Sequence, residues 1–168
     1  MKKTKLLAGL VLMLALIISA CGAHKSQAYY DYKSKIIGTE LDGTYTIRAY
    51  GRARNAADAY EQARKQAVYD VCFNDIQFAT GTSASSSKTL HPLIDEVNAK
   101  TKYEDYFNAF LADKGEYENY TNFCSKNERR ILSSKFARTD AQTVAQVTVC
   151  VDRKALKEKL IKDNIIKK

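Results

Sequence analysis

Histidine and tryptophan are scarce in this chain of 168 residues. It contains no tryptophan and only two histidines, His24 and His91. A structural zinc site takes four ligands, usually cysteine and histidine at close spacing. Because His24 lies near the start of the chain and the cysteines are far apart in sequence, the sequence predicts no metal site and no cofactor.

Proline and glycine are also rare, with one and seven residues, whereas 45% of the chain is hydrophobic and 27% is charged. Such a composition excludes a collagen-like or disordered polymer. The length favours one globular domain over two.

Hydrophobic runs long enough to span a membrane are missing as well. The apolar stretch 6–20 would extend roughly 22 Å as a helix, short of the ~30 Å hydrocarbon core of a bilayer. It follows residues 1–5, which carry three lysines and no acidic residue. A basic start and a short apolar run that ends in small residues are typical of a secretory signal peptide, predicted here over residues 1–20.

The end of this stretch reads LIISACG over residues 16–22, with small residues directly before Cys21. The segment resembles the lipobox of bacterial lipoproteins; the alternative is that Cys21 is an ordinary thiol. The resemblance implies that the chain is cut before Cys21 and that this cysteine becomes the lipidated first residue. Acyl chains at this position would anchor the protein in a membrane. Gly22 stands where an inner-membrane retention signal has aspartate, which favours the outer membrane and a domain facing the periplasm.

The mature chain is only mildly basic. Loss of residues 1–20 takes the 27 Lys and Arg to 24, against 19 Asp and Glu, a net charge of +5. This excess does not indicate nucleic-acid binding. Seven basic residues fall within 153–168, which forms either a solvated helix face or a surface for anionic headgroups or an acidic partner. The predicted organisation is a lipidated tether at 21–35 and a single α+β periplasmic domain at 36–168.

The first part of that domain reads as a strand followed by a helix. Residues 44–53 alternate between β-forming and polar residues, and the turn signal Asp42-Gly43 pairs them with 36–41 in a hairpin. Asn55 then caps a helix that is predicted to run to about Phe78. Its alanines recur every four residues, which lets the helix axis approach a sheet closely.

A helical insertion is predicted at about 79–115, after this first helix. His91 is expected to cap a short helix that starts at Pro92, and Thr101 with Glu104 forms a capping box for a second helix that ends near Gly115. Seven aromatic residues lie between positions 103 and 123. They either complete the core under the insertion or form a protein interface.

Two further strands and a helix complete the predicted domain. Residues 128–138 and 143–151 read as strands, and the valines of the second alternate with polar residues. Asp152 caps the last helix. The predicted fold class is α+β, a small mixed or antiparallel sheet with helices on one face in the order β-α-insertion-β-β-α.

Two blocks of the domain resemble a known module. Residues 50–67 read YGRARNAADAYEQARKQA, and Val151-Asp152-Arg153 precedes a leucine-containing helix. These features are similar to the small α/β module of certain envelope lipoproteins and to the amino-terminal domain of flagellar assembly protein T. The resemblance implies architecture, an envelope location and a role in assemblies. It carries over no catalytic residue.

The three remaining cysteines are expected near one pole of this topology, in a compartment that permits disulfides. Cys72 and Cys124 are the favoured pair, because Cys150 alternates away from the valine face. Three buried free thiols are the alternative.

Functionally, the sequence predicts a non-enzymatic lipoprotein of the outer membrane that binds another envelope protein as an assembly or accessory factor. One alternative is a module that binds a small ligand or cell-wall glycan in a tyrosine-lined pocket. The other is an envelope hydrolase, for which His91 with Cys72 or Cys124 is the candidate pair.

Overall fold

The computed structural model describes residues 32–79, 88–124, 129–135 and 142–167. The predicted leader, Cys21 and most of the predicted tether lie outside the described residues. The described strands are β1 (Lys35–Thr39), β2 (Thr44–Ala53), β3 (Ile76–Phe78), β4 (Thr89–Leu90), β5 (Thr121–Phe123), β6 (Arg130–Lys135) and β7 (Gln142–Asp152). The helices are α1 (Ala56–Phe73), α2 (Ala99–Lys102), α3 (Glu104–Phe110) and α4 (Arg153–Lys162), with a 3-10 helix at Glu116–Tyr120.

The seven strands form one open, mixed sheet. Its order is β4-β3-β1-β2-β7, and both β5 and β6 pair with the outer side of β7. The β1–β3 pair is parallel, and the other pairs are antiparallel. The predicted α+β class with a mixed sheet is therefore confirmed. The sheet contains more strands than the sequence predicted. Strands β3, β4 and β5 were not predicted because each is only two or three residues long and leaves little periodic signal.

The centre of the sheet is the long antiparallel pair of β2 and β7, in register from Thr44 opposite Asp152 to Ala53 opposite Thr143. Side chains alternate between two faces of a strand. Ile47 and its partner Val149 are fully buried against the helices, and we call this side the helical face. Arg48 and its neighbours project to the other side, which we call the second face; Thr148 and Val144 on this face are also buried.

Helix α1 lies across the helical face close to the backbone of β2. It begins where predicted, with the side chain of Asn55 accepting a hydrogen bond of 2.9 Å from the Asp58 backbone N–H. Ala59, Ala63 and Ala67 are fully buried, as their four-residue spacing predicts.

The predicted end of α1 is wrong by several residues. The helix stops at Phe73, and the backbone N–H and side chain of Asn74 both bond back to Asp70. The chain then continues as β3, parallel to β1. Pairing with β1, which is distant in sequence, thus makes these residues a strand instead of the last turn of the predicted helix.

The insertion is less helical than predicted. No helix starts at Pro92; instead, the backbone N–H groups of Leu93 and Ile94 donate to carbonyls at the end of α1. Thr101 lies inside α2, and no side chain caps α3 at Tyr103. The predicted capping box is therefore wrong, and α3 ends at Phe110 rather than near Gly115.

The aromatic residues of the insertion belong mainly to the core. Phe107, Phe110 and Tyr117 are at most 6% exposed, and the rings of Phe73 and Phe107 lie 4.6 Å apart between centroids. The sequence left open whether the aromatic residues complete the core or form an interface; these three residues are in the core.

Helix α4 returns to the helical face. The Asp152 side chain caps it by accepting a hydrogen bond of 2.8 Å from the Ala155 N–H, as predicted. Within the basic segment, the Nζ of Lys159 lies 2.5 Å from Glu116 and 3.1 Å from Asp163. These carboxylates raise the pKa of Lys159 through hydrogen bonds. This lysine therefore ties α4 to the insertion instead of remaining a solvated charge.

Candidate functional site

The cysteines pair differently from the sequence prediction, which named Cys72 and Cys124. The disulfide joins Cys124 to Cys150, with their Cα atoms 5.2 Å apart, and Cys72 is a free thiol. Cys150 does point away from the valine face, as the alternation predicts. That same alternation brings it to Cys124, because β5 pairs with β7 and the Cys124 N–H donates to the Thr148 carbonyl. Cys72 lies on α1 on the opposite side of the sheet.

Cys72 is not placed to act as a nucleophile. Its side chain is fully buried in the core, and this burial raises the pKa of its thiol to about 12, although the charge of Arg153 opposes the shift. A thiol must be ionised to react. The arrangement is that of a small hydrophobic core residue.

We expect Cys72 to resist alkylation in the native protein. Incubation with iodoacetamide near pH 8 should leave it unmodified, because both access and thiolate are lacking. The same treatment in denaturant should modify it completely, as measured by peptide mass. Rapid stoichiometric labelling of the native protein at Cys72 would contradict this burial.

The other residues considered for catalysis do not converge either. The Nδ1 of His91 lies 3.0 Å from the Oδ1 of Asp75, and the His91 side chain is 84% exposed. His91 therefore does not cap a helix, and its ring does not contact a buried thiol. Cys124 has no free thiol because it is in the disulfide. Within the described ranges, no group of three or more His, Cys, Asp or Glu residues is arranged to hold a metal ion.

Two tyrosines that the ligand-pocket alternative would need form hydrogen bonds within the fold. The Tyr117 hydroxyl donates to Glu61, and that of Tyr106 donates to Asp163 at 2.6 Å. Burial and these carboxylates raise the pKa of both phenols. Their hydroxyl groups therefore hold the insertion on α1 and α4.

Arg64 fixes β5 against α1. Its Nε donates to the Thr121 side chain at 2.8 Å and its Nη2 to the Thr121 carbonyl at 3.2 Å. The guanidinium also lies over the rings of Tyr117 and Phe123, 5.2 and 5.5 Å from their centroids. Together with the disulfide at Cys124, these contacts of Arg64 hold β5, which forms the first half of this sheet edge, in place.

The second half of that edge is β6, and it is the least covered part of the described sheet. On its inner side β6 pairs with β7; on its outer side none of the described strands pairs with it. Ile131 is 47% exposed and Leu132 is 37% exposed. Among the described residues, only Leu41 and Val97 are other large hydrophobic side chains exposed to this degree, and they lie in other parts of the chain.

Positive charge surrounds this apolar pair. Arg129 and Arg130 are exposed; the Arg129 guanidinium lies 4.3 Å from the centre of the Phe123 ring. Arg130 lies opposite Gln146 on the second face, in the same row as Tyr50.

Two more basic residues lie on the second face, on β1 and β2 and therefore farther from β6. Arg48 and Lys35 are register partners in the next row, so their side chains share this face. The Arg48 Nε is buried and has no hydrogen-bond partner among the described residues. Asp152 at the end of β7 is an acidic strand residue on the same face, but it caps α4.

The sequence predicts a strand at 128–138 but does not predict that this strand lies at the edge of the sheet. Its outer position depends on β5 sharing the same side of β7, and β5 is too short to show an alternating pattern. An available signal was Arg129-Arg130-Ile131-Leu132, in which adjacent apolar residues break the alternation expected of a strand with one buried face.

No known protein family matches this chain, and no curated protein or solved structure matches it either. In the described part of the chain, no helix combines the length and apolar character needed to cross a membrane.

Proposed function

We propose that the protein is a lipoprotein, anchored in the outer membrane through Cys21, whose periplasmic domain binds another envelope protein without catalysing a reaction. The observation that carries the anchoring is the sequence of residues 1–22. A basic start, a short apolar run and small residues immediately before Cys21 occur there in the order that lipoprotein processing requires.

The arrangement of the domain supports a binding role. Cys72 is buried whereas the His91 side chain is exposed, and Tyr106 and Tyr117 serve the fold, while the β6 edge exposes apolar side chains beside cations. An apolar centre with a charged rim is a common composition for a protein interface. Membership in the family of small envelope modules remains part of this proposal.

Membrane fractionation of the Cys21→Ala variant tests the anchoring. We expect the wild-type protein to partition into the detergent-rich phase of a cloud-point extraction and Cys21→Ala to remain in the aqueous phase, because acyl chains supply the membrane affinity. Cys72→Ala is the matched control and should partition as the wild type does. Equal partitioning of wild type and Cys21→Ala would refute lipid anchoring at this residue.

A further inference from the structure

We infer that β6 is a docking site at which an extended, acidic segment of a partner protein adds a strand to the sheet. This inference deepens the proposed function, since it names the surface and the kind of partner. It rests on the geometry of Arg130–Lys135 and on the charges around this strand.

A free sheet edge presents backbone N–H and C=O groups that a partner strand can pair with. Strand β6 has six residues, about the usual length of a strand in a globular protein. Its pairing with β7 contains an irregularity between Ile131 and Ser133. At this point Ile131 and Leu132 are exposed side by side, so an added strand would cover apolar surface as well as form backbone hydrogen bonds.

The charge of the edge indicates the chemistry of the occupant. Strand β6 begins at Arg130, ends at Lys135 and contains no acidic residue. Arg129 directly precedes the strand and is exposed. Opposite charges across a strand pair stabilise it, and like charges destabilise it. A segment with apolar residues at its centre and Asp or Glu at its ends is therefore complementary to β6.

The same charges disfavour a second copy of the chain as the occupant. A two-fold symmetric, antiparallel pair of β6 strands would place Arg130 of one copy near Lys135 of the other. Two such like-charged pairs would meet without a carboxylate from either strand. The acidic partner segment is the occupant that these charges fit.

The disulfide contributes to this site by holding the edge in place. Cys124 is bonded to Cys150 of β7, a few residues before β6 begins. The edge thus starts from a covalently fixed point. A pre-organised strand loses less conformational freedom on binding.

The test uses the full-length protein in detergent micelles and a display library of short random peptides as the probe. We expect the selected peptides to combine alternating apolar residues with flanking Asp and Glu. N-methylation of alternate backbone amides in a selected peptide should abolish its binding, as strand pairing requires. Leu132→Lys and Arg130→Glu should each weaken binding about tenfold or more, as measured by fluorescence anisotropy.

Matched controls are available elsewhere on the surface. Val97→Lys adds the same charge at another exposed apolar residue, and Lys157→Glu reverses an exposed charge on α4. Both should change the affinity less than about twofold. Unchanged melting temperatures would show that all four variants fold.

Several results would overturn the inference. They are a library that yields no binder or mainly basic peptides, equal binding by the β6 variants and the controls, or a protein dimer that Leu132→Lys dissociates. Cys21→Ala should bind the same peptides as the wild type. A failure of the anchoring is thereby distinguishable from a failure of strand addition.

Discussion

Gly51→Ala is expected to destabilise the domain by about 3 kcal/mol or more, at the upper end of what overpacking costs. A Cβ atom on Gly51 would overlap the carbonyl oxygen of Ala59 and the backbone nitrogen of Ala63. Both are backbone atoms inside α1, so no side-chain rotation relieves the overlap. The whole helix would have to move away from β2, which would open the alanine contact between helix and sheet.

Thermal unfolding followed by circular dichroism measures this effect, and we expect the melting temperature to fall by roughly 10 °C. Gly38→Ala is the matched control, because a Cβ there would meet Thr46 at an ordinary contact distance of 3.5 Å. Adding Ala63→Gly to Gly51→Ala should not restore stability, since the overlapping atoms belong to the backbone. Equal melting temperatures for Gly51→Ala and Gly38→Ala would show that α1 does not lie this close to β2.

Loss of the Cys124–Cys150 disulfide is expected to have a comparable effect. The cysteines are 26 positions apart, and closing a loop of this length contributes about 3.5 kcal/mol through the entropy of the unfolded chain. The bond also fixes β5 to β7 just before β6 begins, so its loss should free the edge of the sheet.

Urea unfolding of the oxidised protein and of the Cys124→Ser/Cys150→Ser variant measures this contribution. The midpoint should fall in the variant. A reductant should lower the midpoint of the wild type in the same way and leave that of the variant unchanged. Peptide mapping under non-reducing conditions should recover Cys124 linked to Cys150; recovery of Cys72 linked to Cys124 would restore the pairing that the sequence favoured.

Local sequence signals predicted the elements that depend on local chemistry. The alternation in Thr44–Ala53 predicted β2 to the residue. Asn55 and Asp152 predicted the starts of α1 and α4, because a capping side chain bonds to an N–H within its own first turn. The four-residue spacing of alanines predicted which side of α1 meets the sheet, although not that Gly51 lies beneath it.

The errors arose where distant residues decide the outcome. Residues 76–78 are intrinsically able to continue a helix, but pairing with β1 makes them a strand. The segment after Pro92 lies against the end of α1 instead of forming a helix, because the backbone N–H groups of Leu93 and Ile94 donate to carbonyls of α1. The sequence favoured Cys72 as the partner of Cys124 because Cys150 alternates away from the valine face; the pairing of β5 with β7 shows that Cys124 lies on the same side as Cys150. The outer position of β6 depends on β5 sharing the same side of β7, and the adjacent Ile131 and Leu132 were its local signal.

The mass of the first peptide of the mature protein directly tests the processing and lipidation of Cys21. Trypsin should release residues 21–25, CGAHK, from protein isolated from membranes. We predict that this peptide begins at Cys21 and carries the added mass of a thioether-linked diacylglycerol and an amide-linked acyl chain. A peptide that begins upstream of Cys21, or an unmodified Cys21, would contradict the account.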